Sequence, residues 1–274
     1  MLRRLKHLVE RFPVVAGSYR QLRDDAILHS RTFTSTEYGF SLIAPPGMLS
    51  AVSALEETRV LQELMRNADI FVDVGANVGF YTALARSLSC HSIAIEPLSQ
   101  NLRYLCANLI RNGWSDVEVY PVGLSSQPGL ADLYGASTGA SLVSGWADTS
   151  KLFRRTIPIS TLDILIGNRF ADRRVLIKVD VEGAEYSVLK GAREIMRREP
   201  KPTWLVEICL TENHPSGMNP HFREIFDQFW NLDYEARSAD HERRRISPED
   251  VSQWVQSRHR QFGPPNYLFQ PASR

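Results

Sequence analysis

From Asp69 onward short apolar runs alternate with segments of helical periodicity, and no other feature constrains the fold as strongly. The runs are Ile70–Val74, His91–Ile95, Val117–Val122, Val175–Val179 and Trp204–Ile208. Between them lie 79–88, Asn101–Arg111 and Ala184–Arg198; the second carries Leu102, Leu105, Leu109 and Ile110 on one helical face and closes at Asn112-Gly113. Such βα units set strands side by side in a parallel sheet and cover both its faces with helices. The expected fold is therefore a doubly wound, mostly parallel α/β sheet.

Three stretches break the alternation. Residues 123–160 hold Gly123, Gly129, Gly135, Gly139 and Gly145, with short alternating segments at Ala131–Leu133 and Thr156–Ile159, and read as an inserted hairpin and loop. The charged run Asp240–Arg245 reads as a solvated helix start or loop. Asn266–Gln270 is strand-like and late, and is expected at a sheet edge.

The 274 residues suffice for one large domain with a core that needs neither disulfides nor metals. The first 55 or so differ from the rest, so residues 1–55 are read as a helical and β extension and 56–274 as the main domain. Leu2, Leu5, Leu8 and Val9 recur at helical spacing among Arg and Lys. A short helix packed on the domain or a partner is preferred there over a membrane-surface helix. Thr32–Ile43 alternates and then meets Pro45-Pro46-Gly47, which predicts a strand or hairpin ending in a turn; Ala54–Met65 predicts an amphipathic helix.

Charge excludes some functions. The 32 Lys and Arg balance 31 Asp and Glu, so no basic field recruits nucleic acid. Cys90, Cys106 and Cys209 are odd in number and far apart, without zinc spacing, and fit a reducing compartment. No run is long and apolar enough to cross a membrane, and no signal-peptide core precedes Glu10 and Arg11, so a cytoplasmic protein is expected. The sequence leaves an oligomer open.

The most informative segment is Phe71-Val-Asp73-Val-Gly75-Ala76-Asn77-Val-Gly79-Phe-Tyr81, which follows a strand and opens a helix. Gly75 permits a tight turn, and Gly79 a close approach of backbone to ligand. Glu96 stands 21 residues after Gly75, at the end of the next strand. A glycine turn and a carboxylate on neighbouring strand ends suit a ribose, because a carboxylate accepts hydrogen bonds from both hydroxyls. The dinucleotide pattern GxGxxG would need glycine where the chain has Asn77 and Phe80. Asp73 would repel phosphate and favour a cation. S-adenosylmethionine, a nucleoside with a sulfonium, an ammonium and no phosphate, fits these residues better than NAD.

Asp73-Val-Gly-Ala-Asn-Val-Gly-Phe-Tyr81, Ala94-Ile-Glu-Pro97, Leu176-Ile-Lys-Val-Asp-Val-Glu-Gly-Ala-Glu185, Val188-Leu-Lys-Gly-Ala192 and Leu205-Val-Glu-Ile208 together resemble the motifs of the FkbM-type S-adenosylmethionine-dependent methyltransferases. The resemblance runs from about Asp69 to Ile208, and more loosely to Asn266–Phe269. Its first motif is common to many class I methyltransferases, whereas Lys178–Glu185 is more specific. The resemblance implies a seven-stranded class I, Rossmann-like sheet and O-methylation of a hydroxyl, often on a sugar or a natural product. It also implies that Gly123 and Leu124, after the third strand, lie beside the adenine.

Methyl transfer to an alcohol needs the acceptor oxygen positioned in line and its proton removed. Lys178 and Asp180 point to one side of the fourth strand, with Asp180 at the edge where open α/β sheets bind ligands. Glu182 and Glu185 follow; a helix-dipole role is preferred for Glu185. Asp180 and Glu182 alone make too small a set for a metal, and none is expected. Glu207 sits within an apolar run and needs a partner or a function. His214 titrates near neutrality in a loop and is a weaker candidate base; His91 is read as structural. Ser137–Ser144 reads as a lid or a surface loop, and Thr161-Leu-Asp163 as a helix cap. The expected cofactor residues are thus Asp73, Gly75, Ala76, Asn77, Gly79, Tyr81, Glu96, Pro97, Gly123, Leu124 and Asp180. Asp180, Glu207, Lys178 and His214 are the expected catalytic groups, acting on a small-molecule or glycan acceptor. The rival readings are a nicotinamide-dependent oxidoreductase and a non-catalytic cofactor-binding module.

Overall fold

The computed structural model describes residues 13–53, 56–136, 139–149 and 154–272. The amphipathic stretch Leu2–Val9 lies outside them. The chain begins with helix α1 (Pro13–Ser30), which the sequence reading did not anticipate. A hairpin of β1 (Thr34–Ser35) and β2 (Ser41–Leu42) and helices α2 (Met48–Ser53) and α3 (Glu56–Met65) follow. The alternating region then gives β3 (Ile70–Val74), α4 (Phe80–Ser87), β4 (His91–Ile95), α5 (Ser99–Arg111) and β5 (Glu118–Tyr120). After β6 (Gly123–Leu124), β7 (Gly129–Tyr134) and β8 (Arg154–Ser160) come α6 (Leu162–Ile166), β9 (Val175–Val179), α7 (Glu185–Lys190), α8 (Arg193–Arg197) and β10 (Thr203–Glu207). The chain closes with α9 (Phe222–Trp230), β11 (Tyr234–Ser238), β12 (Arg245–Ile246), α10 (Pro248–Ser257) and β13 (Asn266–Pro271).

The main sheet has the order β12-β11-β13-β10-β9-β3-β4-β5. Neighbours from β10 to β5 are parallel, and β13 is antiparallel to both β10 and β11. This is the expected doubly wound, Rossmann-like class I sheet, with the two-residue β12 as an eighth, outermost strand. Every residue of β3 and β9 is buried, as strands covered on both faces must be. Ile70, Val72, Val74, Ile177 and Val179 share one cluster with Leu162, Val188, Ile225 and Phe229. Phe71, Leu176 and Leu205 pack on the opposite face against Leu61, Met65, Leu84 and the hairpin residues Phe40 and Leu42.

Several expectations are corrected. The last strand lies inside the sheet, not at its edge: Asn266–Phe269 are all buried, and β13 bonds to β10 on one side and β11 on the other. Strand β11 went unread because Glu235 and Arg237 interrupt its apolar residues. The charged run after it is a loop, one of its two expected forms: a tight turn into β12, in which Asp240 Oδ1 accepts from the N–H groups of Glu242 and Arg243. The helix expected over 184–198 breaks at Gly191, where a Cβ would stand 2.2 Å from the Ser125 carbonyl oxygen. The inserted region is a β7–β8 hairpin whose second strand also pairs with β6 in a separate three-stranded sheet.

Candidate active site

The carboxyl ends of β3, β4 and β9 open into a cavity of about 480 Å³, within the range of small-ligand sites. Residues 74–78, Glu96 and Pro97 form its base, and Gly123 and Leu124 one end. Lys178, Asp180 and Glu182 form the other side, and Pro45, Pro46, Met48, Ala51 and Val52 from the N-terminal segment close over it. Leu133, Ala140 and Leu142 of the inserted region complete the wall.

The two glycines of the β3–α4 turn are set by the protein itself. A Cβ on Gly75 (φ +85°) would stand 1.9 Å from the Asp180 carbonyl oxygen. One on Gly79 (φ +84°) would stand 2.3 Å from Leu105 Cδ1. Gly79 thus serves the packing of α4 on α5 and is not on the cavity wall. Between them Asn77 is left-handed, at φ +54°. Its N–H donates to Glu96 Oε2 at 2.8 Å, and Glu96 Oε1 accepts from Leu98 N–H at 2.8 Å. One buried carboxylate therefore ties the turn to the end of β4. Burial pushes the Glu96 pKa up to about 7, against the pull of these backbone donors. A carboxylate has about four lone-pair sites, so acceptor capacity remains for a ligand hydroxyl. Asn77 Oδ1 is buried without a hydrogen-bond partner on the cavity wall, an acceptor that a ligand donor would satisfy.

A polar cluster lies between the sheet and helices α3 and α4. Register places Asp73 beside Lys178. Val179 pairs with Val206, so one step further Asp180 meets Glu207. Lys178 is fully buried, with Nζ 2.7 Å from Asp180 Oδ2 and 3.6 Å from Glu57 Oε1. It also lies 4.9 Å from the centre of the Tyr81 ring. Burial works against the Lys178 charge, but Asp180 and Glu57 outweigh it and hold the ammonium well above its ordinary pKa. Burial likewise works against Asp180, yet Lys178 and a hydrogen bond from Glu207 keep it low. Glu207 is the partner that carries the proton, pushed up to about 11 by the Asp180 charge and then by burial. Asp73 is buried and accepts from Thr82 Oγ1 at 2.6 Å; it supports the turn from below and does not reach the cavity.

Glu182 is left-handed (φ +56°), lines the cavity and accepts from Trp146 Nε1 at 2.6 Å. Burial and then Asp180 push its pKa up to about 7. Trp146 is buried, and its ring lies where a side chain on Gly183 would be. His214 stacks edge-on against Trp146 at 6.0 Å, and its Nδ1 is 2.7 Å from Ser216 Oγ. Burial lowers its pKa. His214 is thus behind Trp146 and off the cavity wall. Glu185 accepts from the N–H groups of Val181 and Gly183 and braces the turn. His91 pairs with Glu118 at 2.9 Å, remote from the cavity.

The cavity wall brings together Gly75, Ala76, Asn77, Tyr81, Glu96, Pro97, Gly123, Leu124, Lys178 and Asp180. It does not include Asp73, Gly79, Glu207 or His214; Glu207 reaches it through Asp180. Sequence reading missed Glu57, Trp146 and the Pro45–Val52 roof. Glu57 lies on the buried face of α3 with Thr58, Val60 and Leu61, and a carboxylate on an apolar helix face was its only signal.

The fold and this site define a class I methyltransferase domain. Residues 73–236, more than half the chain, match the family described as the methyltransferase FkbM domain, and the chain belongs to that family. No curated protein matches the chain. Among solved structures it is similar to an O-methyltransferase from Bacillus cereus in complex with SAH, at 10% identity, 81% of this chain, 86% of that one and TM-score 0.42. It is also similar to an rRNA methylase from Streptococcus thermophilus, at 13% identity, 85% of this chain, 99% of that one and TM-score 0.41. A precorrin-6y C5,15-methyltransferase from Geobacter metallireducens gives 14% identity, 66% and 71% coverage and TM-score 0.38.

Proposed function

We propose that the protein transfers a methyl group from S-adenosylmethionine to a hydroxyl of a sugar, glycan or other natural product. The donor is read from the cavity's chemistry. Glu96 offers acceptors to a ribose, Gly123 and Leu124 an apolar seat for an adenine, and Asn77 Oδ1 an unmet acceptor. The surplus of carboxylates around Lys178 favours a cationic ligand over a phosphate-bearing one. When bound, this donor supplies an electrophilic methyl group. The protein's part is to orient the acceptor oxygen and receive its proton.

The observation that carries the O-methyl reading is Asp180, exposed to the cavity at one side, paired with Lys178 and hydrogen-bonded to Glu207. An alcohol surrenders its proton as the new bond forms, and a carboxylate pair at that edge can take it. The balanced net charge and acidic cavity favour an uncharged acceptor over nucleic acid. The three cysteines are free, which fits work in the cytoplasm. The test offers a radiolabelled methyl donor with a panel of sugars, glycans, polyhydroxylated natural products and RNA. Label should enter hydroxyl compounds. Asp180→Asn should still bind S-adenosylhomocysteine and slow transfer by roughly 100-fold or more, while Glu96→Ala should lose affinity for donor and product alike in a folded protein. Label entering RNA alone, or full activity in Asp180→Asn, would sink this reading.

A further inference from the structure

The face of the sheet beneath the cavity gathers more carboxyl groups than its cation balances. Around Lys178 stand Glu57 from α3, Asp73 from β3, Asp180 at the end of β9 and Glu207 at the end of β10. Tyr81 of α4 covers the ammonium, and Glu182 follows on the cavity wall. Cys209 lies within the field of Glu207, Glu185 and Glu212, and His214 packs edge-on against Trp146. Glu57 Oε1 is buried with no hydrogen-bond partner. One residue beyond the Val179–Val206 pair, Asp180 and Glu207 stand side by side at the ends of β9 and β10, within reach of a mutual hydrogen bond. Two carboxyl groups make such a bond only when one of them holds a proton, because two carboxylates offer acceptors alone. The pair is therefore a proton store at the cavity edge.

The next step rests on the cavity being the S-adenosylmethionine site. With its nucleoside end at Glu96 and Gly123, the ligand's other end reaches across the Gly75 turn to Asp180. That end is a sulfonium cation in the methyl donor and a neutral thioether in the spent product. We propose that the Asp180–Glu207 pair senses this charge: it releases its shared proton to solvent when the donor binds, and regains a proton from the acceptor hydroxyl during transfer. In the transfer the pair takes the O–H proton as the O–C bond forms, and the S–C bond breaks with its electrons left on sulfur. The charges then balance, since one cation is lost from sulfur as one proton arrives on the carboxylates. Donor binding thereby creates the base, and a neutral product leaves the pair as it was.

The test needs no acceptor. Calorimetric titration in phosphate and in Tris, whose ionisation enthalpies differ, counts the protons exchanged on binding S-adenosylmethionine and S-adenosylhomocysteine. The comparison is made at about pH 6–6.5, where the amino group of either ligand is protonated and adds no difference between them. The donor should release about one proton more than the product, and its affinity should rise roughly tenfold per pH unit relative to the product's near neutrality. Sinefungin, which carries an amine in place of the sulfonium centre, should follow the donor in the unmodified protein. Glu207→Gln should abolish the difference while still binding S-adenosylhomocysteine. Equal proton counts for donor and product in the unmodified protein overturn the proposal while leaving the cofactor site standing. Binding of neither ligand removes the cofactor reading and the proposal with it.

Discussion

A side chain on Gly75 would collide with the Asp180 carbonyl oxygen at 1.9 Å, and the residue's φ of +85° adds backbone strain. Neither obstacle can relax, because Asp180 N–H donates to the Val74 carbonyl at 3.0 Å and fixes the two strand ends together. Gly113 provides the contrast: its φ is +72°, but nothing lies within 4 Å. Gly113→Ala should cost only the left-handed penalty, about 1 kcal/mol. Gly75→Ala should cost about 3 kcal/mol or more, since strain and a buried backbone clash act together. Denaturant midpoints of the two variants check this, and equal midpoints would mean the turn opens freely. The same contact explains why Asp180 reaches the cavity: it is held one residue beyond the last β3–β9 pair, where the Gly75 turn leaves room.

The inserted region is joined to the β9 edge of the cavity through two side chains at Glu182. Trp146 sits 2.4 Å from where a Gly183 Cβ would be and donates its indole N–H to Glu182, while Ser141 Oγ donates to the Glu182 carbonyl. Leu133, Ala140 and Leu142 are thereby held against the cavity. Trp146→Ala should cost about 3–5 kcal/mol of local packing. It should accelerate amide exchange across 139–149 while β3, β4 and β9 keep their protection. Loss of protection throughout the central sheet would instead make Trp146 part of the global core. None of this was readable from the chain. Trp146 and Gly183 are 37 residues apart, and a tryptophan in a glycine-rich loop gives no periodic signal. The strands β3, β4 and β9 were readable because a strand covered on both faces must be continuously apolar. Helices α4 and α5 were readable because each has one buried stripe.

At the level of the whole molecule, the meeting of Gly75, Asn77 and Glu96 on one cavity wall was legible because they belong to consecutive βα units. The charge balance of the site was hidden, since Glu57 meets Lys178 across 121 residues and only the packing of α3 on the sheet brings them together. That balance has a consequence for stability. Burial raises Glu96, Glu182 and Glu185 from an ordinary 4.5 to about 7. Each holds its proton more tightly folded than unfolded. Its contribution is present in full below about pH 4.5 and is lost as pH rises towards 7. Glu118 is opposite: hydrogen bonds from Arg169, against the effect of burial, and from His91 hold it at about 2, so its contribution is lost as pH falls from 4.5 to 2. The ligand-free protein should therefore be most stable near pH 4.5–5 and lose stability towards neutrality. Glu185 isolates the effect, because its Oε1 accepts from Gly183 N–H at 3.0 Å and from Val181 N–H at 3.3 Å, and an amide oxygen can accept both. Glu185→Gln should match the parent at pH 4 and exceed it by about 3 kcal/mol at pH 8, where the parent holds a buried charge. Thermal or denaturant unfolding at the two pH values measures the difference. A variant that tracks its parent at both would show that the Glu185 carboxylate is solvated well enough in the folded state to ionise without cost.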